Sequence, residues 1–204
     1  MTDHAAVNAR WEKKLRIRTG AASHEKQDDH HSPYEPTSYA VLERLAGSGW
    51  IGRDDTVVDY GCGKGRVGFF LNYALGCRTV GVEYDERLHA AALENLKSYS
   101  GRADGISFAL TSAENYKIGD ANCFYFFNPF SASILQAVLG RIREGWYENL
   151  REIKLFFYYT QDAYLDCLAR QDDLDFAGEV DCRDLFHNEN SMERILIYRM
   201  NPAM

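Results

Sequence analysis

Short apolar runs alternate with helical periodicities along this chain from residue 38 to residue 199. Runs at 57–60, 78–84, 105–110, 123–127, 154–159, 176–181 and 195–199 have the length and the β-branched or aromatic content of strands. The run Cys123-Phe124-Tyr125-Phe126-Phe127 is apolar throughout, as a central parallel strand buried on both faces requires. Between the runs, apolar residues recur at helical spacing over 38–46, 66–75, 85–99, 131 to about 144 or 146, and 161–170. Val41, Leu42 and Leu45 mark the inner face of one such helix, and Leu88, Ala91, Ala92 and Leu96 that of another. No convincing helix separates the last two strands, so they are expected to form an antiparallel hairpin. The pattern predicts an α/β fold in which a mostly parallel sheet of seven strands, the last one antiparallel, lies between two helical layers.

The first third reads differently. Val7, Trp11 and Leu15 recur at helical spacing among Arg10, Lys13, Lys14, Arg16 and Arg18. This is a helix with one docking side and a basic, solvated face, or an arm for an anionic substrate. Residues 19–33 are polar and nearly free of large apolar groups, a composition that cannot order itself by burial. The expected organisation is therefore an N-terminal helix with a flexible linker or lid over 1–33, followed by one domain over 34–204. His30-His31 has no further ligands at metal spacing, and no metal site is expected.

The chemistry is concentrated where strand 57–60 meets the next helix. Gly61, Gly63 and Gly65 permit a sharp turn and close approach of backbone to a ligand, and the helix start offers unpaired N–H groups. Roughly 20 residues further on, Glu83 ends the second strand, where a carboxylate can accept from ribose hydroxyls. Together these features predict a nucleoside-containing cofactor. The spacing Gly61-x-Gly63-x-Gly65 departs from the dinucleotide G-x-G-x-x-G, and Arg66 stands where that fingerprint needs a small residue.

Asp59 followed by Gly61, Gly63 and Gly65 resembles the first motif of the class I, Rossmann-like S-adenosylmethionine-dependent methyltransferases. The resemblance runs over roughly residues 35 to 200. It implies a Rossmann-like three-layer sandwich and S-adenosyl-L-methionine as cofactor. The loop would lie along the methionine part, Glu83 would hold both ribose hydroxyls, and Tyr84 would stand beside the adenine. The polar residue after the third strand, commonly Asp in this family, is replaced by Ser112-Ala113, whose hydroxyl and backbone N–H would meet the adenine amino group. Tyr34 and Thr37, ahead of the leading helix, are candidates to touch cofactor or substrate.

Asn128-Pro129-Phe130 ends the fourth strand, at the carboxyl edge where open α/β sheets bind ligands. An amide carbonyl, the proline's own carbonyl and an aromatic plane suit an amine or amide nitrogen as methyl acceptor. The tripeptide resembles the D/N-P-P-Y/F motif of amino-methyltransferases without its second proline, and the Asn- and Phe-containing loop of class I histone-lysine methyltransferases. The family resemblance thus implies a methyltransferase, with Asn128, Pro129 and Phe130 as its catalytic loop. Glu114, Tyr159 and His187 are candidate bases. A nicotinamide-dependent oxidoreductase and a non-catalytic cofactor-binding module are the competing readings.

Composition narrows the acceptor. A net charge of −7 disfavours bulk nucleic acid and leaves a small molecule, a protein side chain or a nucleotide. Five scattered cysteines, no signal-peptide pattern and no apolar run of ~20 residues predict a reduced, cytoplasmic protein outside the membrane.

Overall fold

The computed structural model describes residues 3–20, 34–186 and 190–201. Seven strands, β1 (Thr56–Tyr60), β2 (Arg78–Glu83), β3 (Ile106–Leu110), β4 (Cys123–Phe126), β5 (Ile153–Tyr158), β6 (Leu174–Asp181) and β7 (Arg194–Met200), form one sheet. Their order is β3-β2-β1-β4-β5-β7-β6. The pairs among β1 to β5 are parallel, and β7 inserts between β5 and β6 antiparallel to both. The helices are α1 (His4–Leu15), α2 (Tyr39–Gly47), α3 (Arg66–Leu75), α4 (Glu86–Ser98), α5 (Ala132–Glu148) and α6 (Asp162–Leu168). This is the Rossmann-like three-layer α/β sandwich.

Strand alternation divides the interior into two cores. Val57, Cys123, Tyr125 and Phe156 face α1, α2 and α3, whereas Val58, Phe124, Phe126 and Phe157 face α5 and α6. β4 is buried on both sides, which accounts for its unbroken apolar sequence. The chain builds β1, β2 and β3 in one direction, then crosses back to place β4 on the other side of β1. A crevice opens at the carboxyl ends of the strands at that reversal.

Several boundaries differ from the sequence expectation. α5 continues to Glu148 because Gly145 is compatible with the helix: a Cβ there would meet Ile118 at 2.5 Å, so the glycine admits a neighbour rather than ending the element. Trp146, buried on this extension, donates from Nε1 to the Arg151 carbonyl. β6 starts at Leu174, two residues early, and bulges between Phe176 and Gly178. α6 is shorter than expected and ends at Leu168.

The N-terminal segment packs on the same core as the rest. Asp3 caps α1, Leu15 is fully buried, and Trp11 meets Phe70 edge-on with ring centroids 4.8 Å apart. Arg10 pairs with Glu43, while the Lys14 ammonium lies over the rings of Trp11 and Tyr73. Beyond the helix, Asn95 exchanges hydrogen bonds with both backbone groups of Arg18. The expected linker or lid falls mainly on residues 21–33; with His30, His31 and His187 it lies outside the described residues.

Candidate functional site

The glycine turn is pressed from two sides. Gly61, Gly63 and Gly65 have φ of +72°, +56° and +87°, a left-handed backbone that side chains resist. A Cβ on Gly61 would lie 2.4 Å from Cβ of Pro129, and one on Gly63 would lie 2.1 Å from the Tyr34 ring. The loop after β4 and the segment before α2 therefore both close onto the turn. Gly65 caps α3, and a Cβ there would strike Phe108 and Phe69.

Two carboxyl groups sit beneath this turn with equal burial and opposite satisfaction. Glu83 accepts from the backbone N–H of Gly63 at 2.8 Å and from those of Tyr84 and Asp85, each at 2.9 Å. A carboxylate has about four acceptor positions, so about one remains. Burial raises its pKa, and the three backbone donors offset only part of that rise. Asp59, inside β1, has an Oδ2 atom with no hydrogen-bond partner among the described residues. Burial, and then the charge of Glu83, push its pKa well above the ordinary carboxylate value. A buried carboxyl oxygen without a donor is costly.

Both acids line a cavity of about 300 Å³ at the strand ends. Its far end is walled by Tyr84, Leu88, Thr111 and Ala113. Ser112 is not on this wall; it precedes a short 3-10 turn, and its hydroxyl accepts from Asn115 Nδ2 at 2.8 Å. Of the three glycines, only Gly61 lines the cavity, while Gly63 and Gly65 shape the turn behind it. Tyr34 and Thr37 both reach the wall. The Tyr34 hydroxyl donates to the Thr19 carbonyl, and the Thr37 hydroxyl lies 3.1 Å from that of Tyr125.

The near end is formed by the tips of β4 and β5. Asn128 (φ 42°) and Tyr159 (φ 53°) are both in the left-handed region, and strained backbone of this kind persists only where the surroundings hold it. Asn128 Nδ2 donates to the Tyr159 carbonyl at 2.6 Å, and its Oδ1 accepts a long 3.4 Å contact from the Gln161 N–H. The side-chain amide thus ties the two strand ends together. Phe130 is buried edge-on against Tyr60 and Phe126, and its carbonyl accepts from the Tyr164 hydroxyl. Pro129 and Tyr159 also line the cavity, whereas Glu114 does not.

Two contributors were not among the site residues expected from the sequence. Arg66 is 97% buried (3% exposed) and donates to the Thr19 hydroxyl, the Thr37 carbonyl and, at 3.3 Å, Glu12 Oε1. Its guanidinium also lies 4.6 Å from the centroid of the Tyr39 ring. Glu12 in turn accepts from both the amide N–H and the hydroxyl of Thr19. The second contributor is Glu193, just before β7, in a cavity that adjoins the first.

No protein-family model and no curated protein sequence matches the chain. Solved structures do. An RNA methyltransferase from Salinibacter ruber in complex with S-adenosyl-L-homocysteine aligns at 20% identity, covering 83% of this chain and 96% of its own, with a TM-score of 0.57. A glycopeptide N-methyltransferase complexed with S-adenosyl-L-methionine aligns at 12% identity over 79% and 92%, TM-score 0.57. The magnesium protoporphyrin IX methyltransferase of Synechocystis PCC 6803 aligns at 17% identity over 80% and 77%, TM-score 0.55. At these identities the likeness is one of fold, and the fold is that of class I methyltransferases.

Proposed function

We propose that this chain is an S-adenosyl-L-methionine-dependent methyltransferase. The observation that carries the reading is the pair of buried carboxyls, Asp59 with an orphaned oxygen and Glu83 with one acceptor position left, in a single cavity at the sheet's reversal point. A ligand with an ammonium group and a ribose supplies what each lacks. Asp59 would hold the ammonium and Glu83 a ribose hydroxyl, with Tyr84, Leu88 and Ala113 around the adenine. When bound, the cofactor supplies an electrophilic methyl on a sulfonium.

The chain's own residues then have to align an acceptor and keep water out. The Asn128 amide is anchored through its nitrogen to Tyr159, which fixes the direction of its Oδ1. Oδ1 and the Pro129 carbonyl can accept from the hydrogens of an amine or amide, and the Phe130 ring bounds them on the apolar side. A nitrogen acceptor is therefore the reading we favour. The neighbours act on RNA, glycopeptide and porphyrin, so fold likeness does not choose between acceptors.

The test is calorimetric titration with S-adenosylhomocysteine and, separately, NADH. Binding of the first and not the second is expected, with affinity falling at least tenfold in Glu83→Ala. NADH binding without S-adenosylhomocysteine binding would replace this reading with an oxidoreductase.

A further inference from the structure

A second cavity, of about 240 Å³, lies beyond the tips of β4 and β5 and is bounded on its far side by the segment leading into β7. Glu35, Pro36, Phe127 and Tyr159 line both cavities, so the second is separated from the first only by shared walls. It lies on the acceptor side, next to the Asn128–Tyr159 tie rather than next to Glu83.

Its lining is aromatic and acidic. Phe127, Tyr158, Tyr159 and Phe186 supply ring surface, and Glu35 and Glu193 are its carboxylates; no lysine or arginine is among the described residues that line it. Glu193 is only 9% exposed. Among the described residues its one hydrogen-bond donor is the Tyr158 hydroxyl at 2.5 Å. Burial raises the Glu193 pKa, while the Tyr158 bond and, at longer range, His4 favour the charged form and Glu35 opposes it. His4 is itself engaged, with Nδ1 at 2.7 Å from the Ser38 hydroxyl, Nε2 at 2.7 Å from the Leu185 carbonyl, and its ring stacked on Phe186. It stands behind two lining residues, Ser38 and Phe186, and is not itself on the cavity wall.

A buried carboxylate with no ion-pair partner among the described residues, set among aromatic faces, has one well-matched guest. Alkylammonium groups gain from the carboxylate by charge and from the rings by cation–π attraction, and both gains grow as water is excluded. A neutral or anionic guest gains neither. We propose that this cavity is a binding subsite for a cationic amine carrying an apolar body, with Glu193 as its anion and Glu35 at the exposed rim. This rests on the methyltransferase reading for its meaning, since it names the acceptor class that the Asn128 loop would face. The binding itself does not depend on cofactor.

The experiment uses the full chain and two near-isosteric probes, 2-phenylethylamine and 2-phenylethanol, titrated at neutral pH with and without saturating S-adenosylhomocysteine. The amine is expected to bind at least tenfold more tightly than the alcohol. Glu193→Gln keeps a partner for Tyr158 and is expected to remove that preference, with S-adenosylhomocysteine affinity and thermal midpoint unchanged; Glu35→Gln should reduce it about threefold. Equal binding of amine and alcohol to the unmodified chain, or an amine preference that survives in Glu193→Gln, overturns the proposal. If the amine preference holds but S-adenosylhomocysteine does not bind, the cofactor reading fails and the cationic subsite stands.

Discussion

The two ends of the cleft are held by different means. At the Glu83 end, one carboxylate gathers three backbone N–H groups, so the turn and the start of α4 are fixed by main-chain geometry. At the Asn128 end, two residues in left-handed conformations are kept in place by one side-chain amide bridging two strand tips. The first arrangement is suited to gripping an invariant ligand, since its donors cannot move without unfolding the turn. The second can be altered by exchanging side chains while the sheet beneath stays as it is. A fold that pairs a fixed end with an adjustable one can keep its cofactor and change its acceptor.

That contrast can be broken most directly at Glu83. Glu83→Ala strands three buried donors, and we expect a loss of about 2–4 kcal/mol of stability together with the weakened cofactor binding. Urea titration measures the first effect, and an unchanged midpoint would mean that the turn is held by other contacts. At the opposite end, Asn128→Ala should lower turnover by about 10- to 100-fold while S-adenosylhomocysteine affinity stays within about twofold. The reverse pattern would move Asn128 from acceptor alignment to cofactor binding.

Asp59 gives a smaller effect of opposite sign. Its carboxyl stays protonated in the fold to well above the ordinary value of 3.8, so between those two values the folded state holds more protons than the unfolded chain. Stability therefore falls as pH rises through that window, and Glu83 adds a slope in the same direction. Asp59→Asn removes the larger part of the slope, and at neutral pH it should stabilise the ligand-free protein by about 1 kcal/mol while weakening the cofactor. Thermal unfolding followed from pH 4 to pH 8 checks the sign; a variant less stable than the parent at pH 7 contradicts it. Comparable in size is Tyr159→Phe, which loses the 2.7 Å bond from Asn190 Nδ2 to the Tyr159 hydroxyl and should cost about 0.5–1.5 kcal/mol with little change in cofactor affinity.

The sheet was legible because its signals are local. Each strand and helix announces itself within about ten residues, and the reversed β7 follows from two strands with no helix between them. Asp59, the glycines and Glu83 were legible for the same reason, as they occupy one β-α-β unit. Arg66 was visible only as a misfit to the dinucleotide fingerprint, because its partners Glu12, Thr19 and Thr37 are 54, 47 and 29 positions away. Glu193 follows no motif at all and acquires its setting only when β7 inserts beside β5. Ser112 was assigned by position after a strand, yet its hydroxyl turns to Asn115, a contact that spacing could not foresee.

The guanidinium of Arg66 has one consequence for handling the molecule. Trimming the chain before residue 20 would not remove a dispensable tag; it would delete two of the groups that solvate a cation sealed inside the body, a loss of about 3–5 kcal/mol when a buried pair is broken. Protease digests and shortened recombinant versions should therefore yield aggregates rather than a smaller working protein.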